Sequence, residues 1–190
     1  DSPLAIKVTA VYEIYSRDPL YVSHEAIVQA KAGDAIFNFP GLAMTLTKEQ
    51  SLAINDVPPP KVIIAGSGMS QGGRILHHEI RYLPDPRSTI FFVGYQARGS
   101  LGRAVLDGAK EVTINGVKVP VRARAVQISG YSAHADQPQL LEWLHEARGK
   151  LRRAFVVQGE DEESNALSQK MRDELAIMTH LPSPGEVVVL

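Results

Sequence analysis

Ser132-Ala133-His134-Ala135-Asp136 sets an imidazole between a hydroxyl and a carboxylate within five residues. A His so flanked, on a loop after a strand, can act as acid, base or phosphate donor near neutral pH. Asp136 can hold the tautomer of His134, or it can cap a helix beginning near Pro138. From spacing alone, a capping Asp beside an ordinary His is the preferred reading. A second candidate is the run Gly66-Ser67-Gly68-Met69-Ser70-Gln71-Gly72-Gly73, closed by Arg74. Glycines between a strand and a helix let the backbone approach an anion and leave N–H groups free, and the helix N-terminus adds partial positive charge. Arg74 in the first turn would strengthen phosphate binding. Tight strand-to-helix packing explains the same glycines equally well. The run is neither a Walker A loop, since no Gly-Lys-Ser/Thr follows, nor a Gly-x-Gly-x-x-Gly fingerprint.

A third stretch, Gly94-Tyr95-Gln96-Ala97-Arg98-Gly99-Ser100-Leu101-Gly102-Arg103, has the same character and follows another apolar run. In open α/β sheets ligands sit beyond the C-terminal ends of the strands, so the two loops would share one edge. Tyr95 offers a stacking face for a base, although a Tyr at a strand end is more often packing. The other histidines (His24, His77, His78, His145, His180) form no His-x-His or His-Glu-x-x-His pattern and no carboxylate cluster. No self-sufficient zinc site is expected.

These loops need strands and helices to hold them. Lys61–Ala65 and Thr89–Val93 are continuous apolar runs of the kind expected for strands buried on both faces. Arg124–Ile128, Ala154–Val157 and Val187–Leu190 read as further strands. Helices are expected over Ile6–Tyr15, His24–Lys31, Thr47–Asn55, Arg74–Leu83, Leu101–Leu106, Pro138–Ala147 and Ser164–Ile177. Thr47 and Gln50 have the spacing of a capping box. Asn115-Gly116 between Val112–Ile114 and Val117–Val121 signals a two-residue hairpin turn. Strand–loop–helix units in succession predict an α/β fold with a mainly parallel sheet flanked by helices.

With 190 residues, 44% hydrophobic and 22% charged, the sequence is of ordinary globular type. No apolar run approaches the roughly 18 residues of a membrane span. It contains no Cys, so disulfides and thiolate metal sites are excluded and a reducing cytoplasm, the expected location, is compatible. A net charge of -1 gives no global sign of nucleic-acid binding. Residues 74–124 nevertheless carry nine Lys/Arg against four Asp/Glu, between acidic flanks. Such a stretch can bind a polyanion through one face, although a solvated surface is the simpler explanation. The opening Asp-Ser-Pro, without Met, suggests a chain that begins inside a longer protein.

Together these motifs resemble the β-CASP branch of the metallo-β-lactamase superfamily, the RNA-processing nucleases. Asp1-Ser2-Pro3-Leu4-Ala5, Ser67-Gly68-Met69 with Gly72-Gly73-Arg74, Gly94-Tyr95-Gln96-Ala97 with Gly99-Ser100-Leu101-Gly102-Arg103, and Ser132–Asp136 (motif B) occur in the family's order. Ser100 replaces the usual Thr. The resemblance implies hydrolysis of RNA phosphodiesters with two zinc ions held between a metallo-β-lactamase domain and the β-CASP domain. It implies that His134, with Asp136, serves the scissile phosphate and the leaving group. Ser67, Gly68, Met69, Gly72, Gly73, Arg74, Gly99, Ser100, Arg103 and Ser132 would hold the RNA. Residues 1–127 would be the β-CASP domain, and 128–190 a C-terminal segment of the metallo-β-lactamase fold.

Two departures bear on activity. The His-x-His-x-Asp-His motif that supplies most zinc ligands is absent from this sequence. Gln158, in Val157-Gln158-Gly159-Glu160, occupies the position where relatives of the pre-mRNA 3′-end endonuclease carry a zinc-ligand His. An amide oxygen is a poor substitute for imidazole at zinc. The expectation is an RNA-binding, partial active-site portion of a zinc-dependent ribonuclease, binding no zinc and inactive by itself. Its partners would be single-stranded RNA and the missing metallo-β-lactamase domain, with a homodimer left open and no membrane. The alternatives are a non-catalytic RNA-binding or scaffold pseudo-nuclease of the same family, and an unrelated α/β phosphate-binding domain.

Overall fold

The computed structural model describes residues 1–16, 18–31, 37 and 39–189. Two compact units divide the chain, Asp1–Ser132 and Ala133–Leu190. The class is α/β, with parallel pairing in both units.

In the first unit, α1 (Pro3–Tyr15) begins at Ser2, whose side chain accepts from the Ala5 amide. Pro3 at the first helical position has no N–H to leave orphaned. α2 spans His24–Lys31. α3 (Lys48–Ala53) carries the expected capping box, Thr47 with Gln50, and runs on into a 3-10 turn, Ile54–Asp56. α4 (Ile75–Tyr82) follows the first glycine loop. β1 (Thr89–Phe92) leads into the second glycine loop and α5 (Leu101–Leu106). β2 (Glu111–Ile114) and β3 (Val117–Pro120) form the antiparallel hairpin, with Asn115 at φ 52 and Gly116 at φ 79. Left-handed φ at both turn positions is what a two-residue hairpin needs, and it is why Asn-Gly signals one. β4 (Arg124–Gln127) pairs parallel with β1, from Thr89↔Arg124 to Phe92↔Gln127. The core between sheet and helices is Leu83, Phe92, Val105, Val112, Ile114 and Val119.

One expected strand differs. Lys61–Ala65 belongs to no ladder among the described residues, and Val62 and Ile64 are 90% and 70% exposed. The segment is tied by its ends instead: Lys61 Nζ donates to the carbonyls of Ile54 and Val57, and the Asp1 backbone nitrogen donates to the carbonyl of Ile64. An apolar run reports the cost of exposure but cannot specify a pairing partner distant in sequence. The sheet pairing in this unit is consequently narrower than the succession of apolar runs suggests.

In the second unit, α6 (Gln137–His145) and α7 (Asp161–Leu175) enclose a small core of Leu141, Met171, Leu175 and Ile177. Asp161, Glu162 and Glu163 occupy the first turn of α7, where negative charge complements the helix dipole. That helix therefore starts three residues earlier than the apolar pattern suggests. β5 (Ala154–Phe155) pairs parallel with β6 (Thr179–His180), a strand that the sequence reading did not anticipate. Ser168 and Thr179 share a hydrogen bond of 2.6 Å, and Arg172 donates to both hydroxyls. Residues 187–189, expected as a strand, join no ladder among the described residues, and Leu190 lies outside them.

Candidate nucleic-acid interface

The first glycine loop folds back on itself. Ser67 N–H donates to the carbonyl of Gly72 (3.2 Å), and Ile75 N–H donates to that of Gly66 (3.2 Å). Gly73 makes this closure feasible. Its φ is +75, and a Cβ there would lie 2.5 Å from the Gly66 oxygen. Packing therefore accounts for Gly73. Gly68 and Gly72 are different, with open space where a side chain would go. The amides of Gly68, Met69, Gly72 and Gly73 have no hydrogen-bond acceptor among the described residues. Four such donors on one short loop are a concentration of positive dipole suited to an anion.

Beneath the loop lies Glu79, 2% exposed. Ser70, held at φ 56, donates its hydroxyl to Glu79 Oε1, while Oε2 has no partner among the described residues. Burial raises the Glu79 pKa above the ordinary carboxylate range, and the Ser70 hydrogen bond only partly opposes this. The acid is thus biased toward its neutral form.

Arg74 points into the fold. Its guanidinium donates to Asp1 Oδ1 (2.6 Å) and to the carbonyls of Thr45 and Leu46. The Asp1 carboxylate is fully buried and also accepts from Thr45, Ser51 and the His78 ring. Burial first, then surrounding positive charge, holds His78 below its usual pKa, and its Nε2 lies 2.8 Å from Asp1 Oδ2. Arg74 therefore braces the loop from behind, with its charge already matched by Asp1.

The second loop is laced to the first. Gln96, 1% exposed, donates through Nε2 to the carbonyls of Gly68 (2.9 Å), Gly94 (3.2 Å) and Tyr95 (3.1 Å). Gly102 N–H donates to the carbonyl of Met69 at 3.2 Å. Ser100 caps α5 by accepting from the Arg103 amide, and Gly99 sits at φ +80 with open space around its α-carbon. Arg103 Nε contacts both carboxylate oxygens of Asp107, four residues on. Ser67, Gly68, Met69, Gly72, Gly73, Gly99 and Ser100 thus belong to two adjoining loops of one unit, and Arg103 lies in α5, which Ser100 caps.

Ser132 closes that unit, whereas His134 and Asp136 lie in the second. All three are exposed. Asp136 is a helix cap: its side chain accepts from the Gln139 amide (3.0 Å), and the Gln139 side chain accepts from the Asp136 amide (2.9 Å). Gln158 is exposed with φ 67, a left-handed backbone uncommon for a residue with a side chain. Among the described residues no three His, Asp or Glu side chains gather to hold a metal.

Glu79 and Gln96 were not picked out by the sequence reading. Glu79 had a signal, since it interrupts the apolar stripe Leu76, Ile80 of α4 and Leu83 at its C-cap, at helical spacing. Gln96 stood inside the motif Gly94-Tyr95-Gln96-Ala97, but its burial depends on a loop 28 residues away and had no local signal.

Comparison with known proteins bears on identity. The Beta-Casp domain model matches residues 1–105, and that of a Zn-dependent metallo-hydrolase RNA specificity domain matches 118–182. The chain is 41% identical to Ribonuclease TTHA0252 of Thermus thermophilus over 169 residues, covering 89% of this chain and 38% of that protein. It is 38% identical to transcription termination factor FttA of Cenarchaeum symbiosum over 136 residues, 69% of this chain and 21% of the factor. An RNase J-like protein of Methanocaldococcus jannaschii is 34% identical over 140 residues, 74% of this chain and 32% of its own length. The chain therefore spans well under half of each of these relatives. The match sets aside an unrelated phosphate-binding domain: this chain belongs to the Beta-Casp family.

Proposed function

We propose that this chain is the RNA-binding and partial active-site portion of a zinc-dependent ribonuclease that hydrolyses RNA phosphodiester bonds. The observation that carries the reading is the pair of laced glycine loops with four unclaimed backbone amides. Backbone donors recognise phosphate without reading sequence, as expected for a surface that tracks a single strand. In this reading Ser67, Gly68, Met69, Gly72, Gly73, Gly99 and Ser100 line the RNA backbone, Arg103 adds charge, and Arg74 braces the loop. Ser132 and His134 serve the scissile phosphate, with His134 giving its proton to the departing oxygen and Asp136 fixing the turn that bears it. Zinc is assigned to residues of the parent protein beyond this chain, and no step here runs through a metal. The cytoplasm is the proposed location. Among the described residues no helix is long and apolar enough to cross a membrane.

Gln158 favours a second reading, a non-catalytic RNA-binding or scaffold pseudo-nuclease. In the full-length protein, Gln158→His should raise RNA cleavage if a weakened metal site is the defect, whereas a scaffold stays inactive. The RNA reading itself is tested by fluorescence anisotropy of a labelled single-stranded oligonucleotide titrated with the chain at low and moderate salt. Binding that weakens with salt, and that mononucleotide does not displace, is expected. No binding at low salt would contradict it.

A further inference from the structure

Gln96, which laces the two loops, is a polar side chain buried to 1% exposure. Three features set it apart. Its carboxamide reaches across from the second glycine loop to the Gly68 carbonyl of the first, while donating to Gly94 and Tyr95 in its own loop. Gln127, from β4, reinforces the same junction by donating to the Gly94 carbonyl at 3.1 Å. The other atom of the carboxamide, Oε1, is buried without a hydrogen-bond partner among the described residues.

The space around that oxygen is fitted to it. A Cβ on Gly102 would lie 2.0 Å from Gln96 Oε1 and 3.0 Å from the Phe92 ring. Gly102 is therefore glycine so that the carboxamide can enter, and the Gly102 amide is free to donate to Met69 on the first loop. A buried amide with one orphaned end is costly where an apolar side chain would fill the same volume. What it provides, and an apolar side chain cannot, is donors for carbonyls of both loops at once.

We propose that Gln96 is a positioning residue. Its carboxamide fixes the spacing between the two glycine loops so that the amides of Gly68 and Met69 and the Gly99 turn present to one phosphate backbone. The inference rests on the RNA-binding reading for its consequence, while the interloop clamp can be observed without RNA. Gln96 does not touch RNA in this arrangement. It acts through the backbone of the two loops.

Two variants separate positioning from space filling. Gln96→Met keeps the length of the side chain and removes the donors. Gln96→Glu is a near isostere whose carboxylate would face three carbonyls when ionised, and whose O–H could donate to them when protonated. Single-stranded RNA affinity of the 190-residue chain is measured by anisotropy from pH 8 down to pH 5, with wild type at each pH as reference and thermal melting as a check on folding. Gln96→Met should bind about tenfold more weakly than wild type, equivalent to roughly 1.4 kcal/mol. Gln96→Glu should be weaker still at pH 8 and recover toward wild type as pH falls. Should Gln96→Met fail to fold, recovery of Gln96→Glu in acid carries the test. Affinities equal to wild type, or a loss in Gln96→Glu that pH does not reverse, would overturn the proposal. Hydrogen exchange of the Gly102 amide gives an RNA-free reading, expected to quicken at least tenfold in Gln96→Glu at pH 8. If wild type binds no RNA, the RNA-binding reading fails, and the clamp is judged by this exchange alone. Unchanged exchange would refute the clamp.

Discussion

Around Gly66–Gly73 and Gly94–Gly102 the backbone is held from behind by buried side chains, whereas at Ser132–Asp136 a capping box at the start of α6 orders an exposed turn. The first arrangement commits polar groups such as Glu79, Arg74 and Gln96 to the interior and leaves main-chain amides for a ligand. The second leaves its side chains at the surface. Preorganised amides suit binding, since their orientation is settled before the ligand arrives. An exposed imidazole suits proton transfer, provided that a bound substrate completes its surroundings. Under the proposed function, the first region would hold the RNA and the second would supply the proton.

Breaking the interior brace should have the largest effect. Arg74→Ala leaves the fully buried Asp1 carboxylate without its guanidinium, and loss of one partner of a buried pair costs about 3 kcal/mol. Urea unfolding should show a lower midpoint with unchanged slope. Gly73→Ala comes next. Left-handed backbone and the 2.5 Å approach to Gly66 should together cost about 1–3 kcal/mol and weaken RNA binding. Gly99→Ala sharpens the point: it has a similar φ but open space, so its cost should fall at the lower end of that range. Asp136→Ala should cost about 1 kcal/mol through the lost cap, read as melting of the second unit, without altering hydrogen exchange of the glycine-loop amides.

The smallest expected effect is a slope. Because burial raises the Glu79 pKa, its contribution to stability is complete below the unfolded carboxylate value of 4.5 and is lost as pH rises through the higher folded value. Wild type should therefore lose stability with rising pH over that window. Glu79→Gln should remove this component, seen by comparing urea midpoints of the two proteins from pH 4 upward. Identical slopes would show that Glu79 does not titrate as its burial predicts.

Local chemistry was legible in the sequence where the physics is local. Thr47 with Gln50, Asn115-Gly116 and Asp136 each satisfy or shape the backbone within four residues, and each is found where spacing put it. Arg74 was legible as a basic residue beside the loop, but its direction depends on Asp1, Thr45 and Leu46, all far away in sequence. The Lys61–Ala65 run and the short β5–β6 pair mislead or escape for the same reason, since ladder partners are set by tertiary structure. Gln96 is the extreme case: an ordinary loop residue by composition, it is buried by a partner loop that no window of sequence contains.

The central claim is that the backbone amides of the glycine loops bind RNA. Its most direct test is residue-by-residue amide shift mapping by NMR as a short single-stranded RNA is added to the chain. The largest shifts are predicted at Gly68, Met69, Gly72, Gly73 and Gly99. Saturable RNA binding that leaves these amides unmoved, or shifts only residues outside the two loops, would contradict the account.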